Sequence, residues 1–256
     1  MNATVRRRLL LGWAWLWSAL LTVLFAGVTA LTLGVWAAEP AAAVTTPVTD
    51  LAFACLGGAI AAGIASQIVR AASALGLIQA LTGSLLLAAA GAAGARMEPL
   101  VGGLVFAGIV VVTWALRRHA LATTQPVDLP LGTVGLIGLG LAIPVAAHGV
   151  LLARASGPSC FLGRCAEGDR YAELAAAAVL FGVLAALAAT RIRGWQLPLW
   201  TAVTGGVSVG AASVALPDVP ASLGRLGGAL ALLWAVLLIV LGYRRGTASP
   251  LRKESP

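Results

Sequence analysis

Eight long apolar stretches divide this chain, and its arginines fall almost entirely into alternate gaps between them. A helix that crosses a bilayer needs ~20 mostly apolar residues. Stretches of that kind are predicted at 9–37, 51–69, 72–95, 99–116, 131–153, 171–190, 195–216 and 224–243. Inside hydrocarbon every backbone N–H and C=O must be paired within its own segment, which leaves the helix as the economical solution. The fold class expected is all-α: a polytopic integral membrane helix bundle of eight transmembrane helices, forming one domain over 1–256. Residues 51–95 are too long for a single span, and Arg70 is the one charge available to divide them into a hairpin.

Composition agrees. Apolar residues make up 60% of the chain and charged residues 10%, whereas soluble domains carry ~45–50% and ~25%. So few charges cannot clothe a water-facing surface, so the first partner expected is the lipid bilayer. The net charge of +8 would suggest nucleic acid in a soluble protein. Here no basic, aromatic-interleaved soluble module exists, and no nucleic-acid partner is expected. The basic residues are sixteen Arg and only Lys253, beside abundant Ala, Gly and Leu, a bias resembling high-GC bacteria.

The basic residues also orient the chain. With the N-terminus inside, the inner gaps hold Arg6, Arg7, Arg8, Arg70, Arg117, Arg118, Arg191, Arg193, Arg244, Arg245, Arg252 and Lys253, twelve of the seventeen. The outer gaps hold Arg96, Arg154, Arg164, Arg170 and Arg225, together with most of the acids. Cytoplasmic loops collect Arg and Lys in this way. The expectation is a multi-pass protein of a bacterial plasma membrane with both termini cytoplasmic. Val5-Arg6-Arg7-Arg8 looks like a signal n-region, but the apolar run behind it exceeds the ~7–15 residues of a signal core, so it is read as a retained first span. Trp13, Trp15, Trp17, Trp114, Trp195 and Trp200 fall near predicted inner helix ends and Trp36 near an outer one, as interfacial indoles do. Trp234 lies mid-span and is expected to pack between helices.

A weak repeat runs through the chain. Residues 75–90 (LGLIQALTGSLLLAAA) and 197–212 (LPLWTAVTGGVSVGAA) match at seven positions, including Thr82/Thr204 and Gly83/Gly205. Each segment follows an arginine-bearing inner turn, and each half ends on a double arginine, Arg117-Arg118 or Arg244-Arg245. The pattern predicts a parallel four-plus-four duplication with halves near 1–125 and 126–256. Parallel repeats of this kind build some transporters, with the site at the repeat interface near mid-bilayer. The competing explanation is convergent small-residue packing, since glycines let membrane helices approach closely.

Few residues can carry chemistry. Cys160 and Cys165, in a predicted outer loop, are expected to form a structural disulfide in an oxidising exterior. Their C-x4-C spacing is not that of a thioredoxin-like pair. Pro144 and His148 lie one turn apart in the fifth span, where proline frees a carbonyl and an ionisable side chain is a functional candidate by default. Gln67, Gln79, Thr82 and Thr204 are expected to hydrogen-bond between helices. Thr82, Gly83, Pro144, His148, Thr204 and Gly205 are thus the candidate solute path or helix interface. Glu173 is expected to open the sixth span at the outer surface. No catalytic residue, metal ligand set or cofactor motif is present: there is no G-x-x-x-x-G-K-[ST] and no G-x-G-x-x-G. Ala71-Ala72-Ser73-Ala74-Leu75-Gly76 has the cast of the loop that docks ABC importer permeases. Arg70 stands where that motif has glutamate, and its later I-x-L-P is missing, so no family is assigned.

The leading expectation is a transporter- or permease-like protein for a small or amphipathic solute. The alternatives are a non-catalytic accessory or assembly subunit, with a protein partner or a homo-oligomer, and a membrane thiol-redox protein using the outer cysteines with Cys55.

Overall fold

The computed structural model describes residues 3–38, 47–69, 74–117, 126–157, 166–219 and 221–246. Eight α-helices account for nearly all of them: α1 (Ala3–Ala38), α2 (Pro47–Val69), α3 (Leu75–Gly94), α4 (Met97–Leu116), α5 (Leu129–Ala155), α6 (Ala166–Ala189), α7 (Gln196–Ala215) and α8 (Gly224–Gly246). All eight are long and apolar enough to cross a membrane, so the protein is an integral multi-pass membrane protein in contact with lipid. The helices match the predicted spans one for one. Their ends differ by up to a turn or two, because polar first turns such as Thr4–Arg8 and Glu167–Arg170 continue the helix beyond the apolar run. An even number of spans puts the start of α1 and the end of α8 on one side, called here the termini face.

The helices α2, α3, α6 and α7 form the middle of the bundle. Within the first four, α1 packs on α2, α2 on α3, α3 on α4 and, more lightly, α1 on α4; the second four repeat this as α5 on α6, α6 on α7, α7 on α8 and α5 on α8. Across the middle, α2 meets α6 and α7, while α3 meets α6 and touches α7. The most completely buried helix is α6, where Ala172, Ala177, Leu180, Leu184, Ala185 and Ala188 are all sealed from the surface. By contrast α5 and α8 present apolar side chains such as Leu136, Ile143, Leu151, Leu233 and Val236 to the periphery. In a bilayer that is the ordinary arrangement, since lipid is as apolar as leucine and association rests on close packing.

Glycines set the closest crossings. A Cβ on Gly103 (α4) would strike the backbone of Ser84 and Ala88 (α3), and one on Gly228 (α8) would strike the backbone of Gly210 and Val214 (α7). Ala88 and Gly210 are 122 positions apart, the spacing of the Thr-Gly pairs. Each crossing therefore lies at the same level of its hairpin.

The two halves differ in how they are filled. Between α1, α2 and α4, Phe25 stands edge-on to Phe53 at 5.0 Å and to Phe106 at 6.3 Å between ring centroids. Its ring lies so close to Gly57 that no side chain fits there. The corresponding interior of the second half holds an apolar cavity of about 250 Å³, lined from all four helices by residues including Leu141, Ala178, Phe181, Val209 and Leu230. Trp234 forms one wall and donates its Nε1 proton to the Val134 carbonyl at 2.9 Å. It is an interhelical strut, as its mid-span place suggested.

Candidate functional site

Arginines tie the ends of the bundle through helix-terminal carbonyls, which have no partners inside their own helices. On the termini face Arg6 (α1) caps α4, with Nε 2.7 Å from the Leu116 carbonyl and Nη2 2.5 Å from that of Ala115 and 3.2 Å from that of Arg117. A cation there also meets the negative end of the helix dipole. Arg191 closes the second half on the same face. It pairs with Asp128 Oδ2 at 2.6 Å and lies 3.8 Å from the centroid of the Trp195 ring. Asp128 in turn starts α5, accepting from the Leu131 N–H at 3.4 Å, and its own N–H donates to Ala189. Arg117 is buried next to the end of α4, and that burial pushes its pKa down. These residues do more than bias orientation. Arg7, Arg8, Arg193 and Arg244 are exposed; Arg70 and Arg118 lie outside the described residues, as does the side chain of Arg245.

The opposite face holds a denser ionic cluster. Arg96, in the turn between α3 and α4, is fully buried and donates through Nε to the Ala153 carbonyl at the end of α5 at 2.9 Å. Arg154 returns the gesture, donating to the Ala93 carbonyl at the end of α3 at 2.6 Å. Arg170 (α6) bridges Asp50 (α2) at 3.1 Å and Glu173 at 2.9 Å, and its guanidinium stands 4.4 Å from the centroid of Phe53. Glu173 does not open α6, as the sequence suggested. The helix begins at Ala166, so Glu173 falls two turns in and is buried. Its carboxylate is held there by Arg170, because an unpaired charge at that depth would be costly.

Between these faces a lateral cleft of about 380 Å³, lined in part by hydroxyls, runs along the seam of α2 and α7. Leu51, Ala54, Cys55 and Gly58 line it from α2, and Trp200, Thr201, Thr204 and Ser208 from α7. The three hydroxyls follow helical spacing on one face of α7. At 1.5 Å per residue, they cover roughly 10 Å along the helix. Cys55 and Ser208 are hydrogen-bond partners across the cleft. Behind Thr201 lies Gln79 (α3), fully buried, whose Nε2 donates to the Ala59 carbonyl at 2.8 Å and to Thr201 Oγ1 at 3.2 Å. The Ala59 carbonyl can only accept, so the amide nitrogen must face it and Oε1 must face away. That oxygen has no partner among the described residues.

Span hydroxyls include both those bonded back to their own helix and those left free; Ser18 Oγ, buried without a partner among the described residues, is of the second kind, and so is Thr204. Ser84, Thr113, Thr133 and Thr201 each return a hydrogen bond to the carbonyl four residues earlier, at 2.8–2.9 Å. Thr204 has no partner among the described residues and is exposed at the mouth of the cleft. Thr82, 122 positions earlier, is half-buried. Gly83 and Gly205 point inward: a Cβ on Gly83 would meet Ile60 at 3.2 Å and Leu180 at 3.3 Å, and one on Gly205 would strike the Phe181 ring. Gly58, by contrast, has nothing within 4 Å of where its Cβ would be. That vacancy opens the α2/α7 seam. The matching position in the α3/α6 seam, 122 residues on, is Leu180, and it is filled.

The remaining sequence candidates lie apart. Pro144 and His148 are exposed on the periphery of α5 and line neither the cleft nor the cavity. Cys160 and Cys165 lie outside the described residues. Cys55, read from its place near the outer end of the second span as a small buried cysteine with a thiol relay as the alternative, sits half-buried in the cleft wall as a free thiol. Among the described residues no group of His, Cys, Asp or Glu could hold a metal ion. The cleft itself escaped sequence reading, although the repeat offset places Gln79 opposite Thr201 and would have drawn attention to both.

Comparison with known proteins adds no relative: no family model, no curated protein and no solved structure matches the chain.

Proposed function

We propose that the chain is an internal duplication, with halves near 1–125 and 126–256 related by rotation about the membrane normal, and that it is a transporter- or permease-like protein for a small or amphipathic solute. The observation that carries the reading is the placement of the α2/α7 cleft. It is built from one helix of each half, contains the repeat-matched Thr204, and is backed by Gln79 touching its own repeat mate Thr201. Equivalent residues meet each other only next to a two-fold axis. The paired packing of α1–α4 and α5–α8, and of α2/α7 against α3/α6, supports the same relation, as do the glycine crossings. The contacts of α5 with α3 and of α4 with α6 have no counterpart of like extent, so the symmetry is approximate. A site at a repeat interface near mid-bilayer is where transporters of parallel-repeat design bind their cargo. The arginine distribution supports a cytoplasmic termini face in a bacterial plasma membrane.

Water access tests the reading without a known solute. In a cysteine-free background, Thr204→Cys in proteoliposomes should react with a membrane-impermeant thiosulfonate, whereas Val236→Cys, on the outward side of α8, should not. Equal silence at both positions would remove transport in favour of a packed accessory subunit.

A further inference from the structure

We propose that the α2/α7 cleft binds the uncharged, hydroxyl-bearing head of a membrane-dissolved diacyl lipid, a diacylglycerol in chemical class. The proposal rests on the reading of this cleft as the solute site and names what that solute is.

Charge decides first. None of the lining residues is ionisable beyond the Cys55 thiol, and Asp50, one residue before the cleft begins, is already paired with Arg170. A phosphate, ammonium or free carboxylate would be placed near mid-membrane with no counter-charge, which is strongly unfavourable. A hydroxyl or ester avoids that cost and still finds partners. Hydroxyl side chains both donate and accept, and Thr204 has its whole capacity free. An unpaired hydroxyl facing hydrocarbon is itself unfavourable, so a ligand that bonds to it removes a standing cost.

Shape decides second. Trp200 and Thr204 are exposed at the bundle surface, so the cleft opens sideways toward lipid. A diacyl lipid can place its head among Thr201, Thr204 and Ser208 while its chains stay in the bilayer. The cleft's size, about 380 Å³, lies within the range of small-molecule sites, ~300–1,000 Å³. The hydroxyl row runs along α7 and hence along the membrane normal, so the head meets a further hydrogen-bonding group at each turn.

Cys55 in the wall supplies the probe. Purified full-length protein in detergent is alkylated with N-ethylmaleimide, and modification of Cys55 alone is followed by peptide mass spectrometry. Dioleoylglycerol should slow that reaction at least fivefold; dioleoylphosphatidylglycerol, with the same chains and a charged head, should not. Thr204→Val, near-isosteric, should keep its melting temperature and lose most of the protection. Protection by both lipids alike, or by neither, overturns the proposal. Retention in native mass spectrometry is the second reading. The wild-type chain should hold dioleoylglycerol and Gly58→Leu, which fills the cleft, should not; equal retention also overturns it. The outcomes separate from those of the transport reading. Protection with a water-inaccessible Thr204→Cys would keep the lipid site and remove transport, while water access without protection would do the reverse.

Discussion

Gln79 and Thr201 hydrogen-bond to each other at 3.2 Å across the middle of the bundle while standing 122 positions apart in sequence, the same interval that separates Thr82 from Thr204. The contact is not the most stable choice for that spot, because Gln79 Oε1 is buried without a partner among the described residues. Leaving a buried acceptor unpaired costs about 1–3 kcal/mol. Gln79→Met, which removes the orphan and keeps the volume, is therefore expected to raise stability by about 1 kcal/mol in denaturant unfolding followed by tryptophan fluorescence. A double-mutant cycle with Thr201→Val should give a coupling of about 0.6 kcal/mol, as is usual for interhelical hydrogen bonds in membranes. A loss above about 2 kcal/mol for Gln79→Met would mean that the amide is a strut.

Arg170 gathers one carboxylate from each half, Asp50 and Glu173. Replacing it with Met strands both. Removing one partner of a fully buried pair costs about 3–5 kcal/mol; with the Arg170 side chain 23% exposed, about 2 kcal/mol is expected after allowing for solvent screening. Adding Asp50→Asn and Glu173→Gln should restore most of it, because no charge is then left uncompensated. A triple variant as weak as the single one would place the role of Arg170 in packing over Phe53.

Phe25→Ala should open a cavity where Phe53 and Phe106 now meet its ring. Lipid supplies no hydrophobic drive, so the cost is lost packing rather than transfer, and about 2–3 kcal/mol is expected against ~3–5 in a water-soluble core. Val23→Ala, on the exposed side of the same helix at 72% exposure, should cost less than about 0.5 kcal/mol. Thermal unfolding in one detergent would compare them directly.

The proposed orientation, with the termini face cytoplasmic, is tested by reporter fusions. Reporter fusions after residues 70, 120, 193 and 250 should report the cytoplasm, and those after 45, 97, 160 and 220 the exterior. Arg6→Ala should leave that pattern intact, since eleven other inner basic residues remain. It should still cost about 1 kcal/mol by uncapping the end of α4. A C-terminus found outside would end the eight-span topology.

Much of the architecture was legible because one force wrote it. Hydrocarbon demands about twenty apolar residues per crossing, so the eight helices could be read directly, and Arg70 falls in the gap between the end of α2 and the start of α3. The proposed repeat is legible as Thr82-Gly83 and Thr204-Gly205, whereas Gln79 leaves no mark in it, because the residue 122 positions on is a threonine rather than another glutamine. Depth misled at Glu173. Apolar patterning marks where the hydrocarbon begins, whereas α6 starts earlier with Glu167 and Asp169, so an expected surface acid became a buried one. Pro144 and His148 had the right chemistry and the wrong azimuth, since every side of so apolar a helix as α5 looks alike in sequence. The cleft depends on what Gly58 leaves out, and an omitted side chain has no signature of its own among thirty-one glycines.

The fastenings of the two faces differ in reach. Arg96 to Ala153, Arg154 to Ala93 and Arg170 to Asp50 each join the first half to the second at the face away from the termini. Arg6 to α4 and Arg191 to Asp128 each close a loop within one half. Toward the termini the two halves meet instead through the neutral Gln79–Thr201 hydrogen bond. A load that pulls the halves apart is therefore borne by guanidinium contacts at one end of the seam and by an amide–hydroxyl contact nearer the other, and charge-assisted hydrogen bonds are the stronger kind.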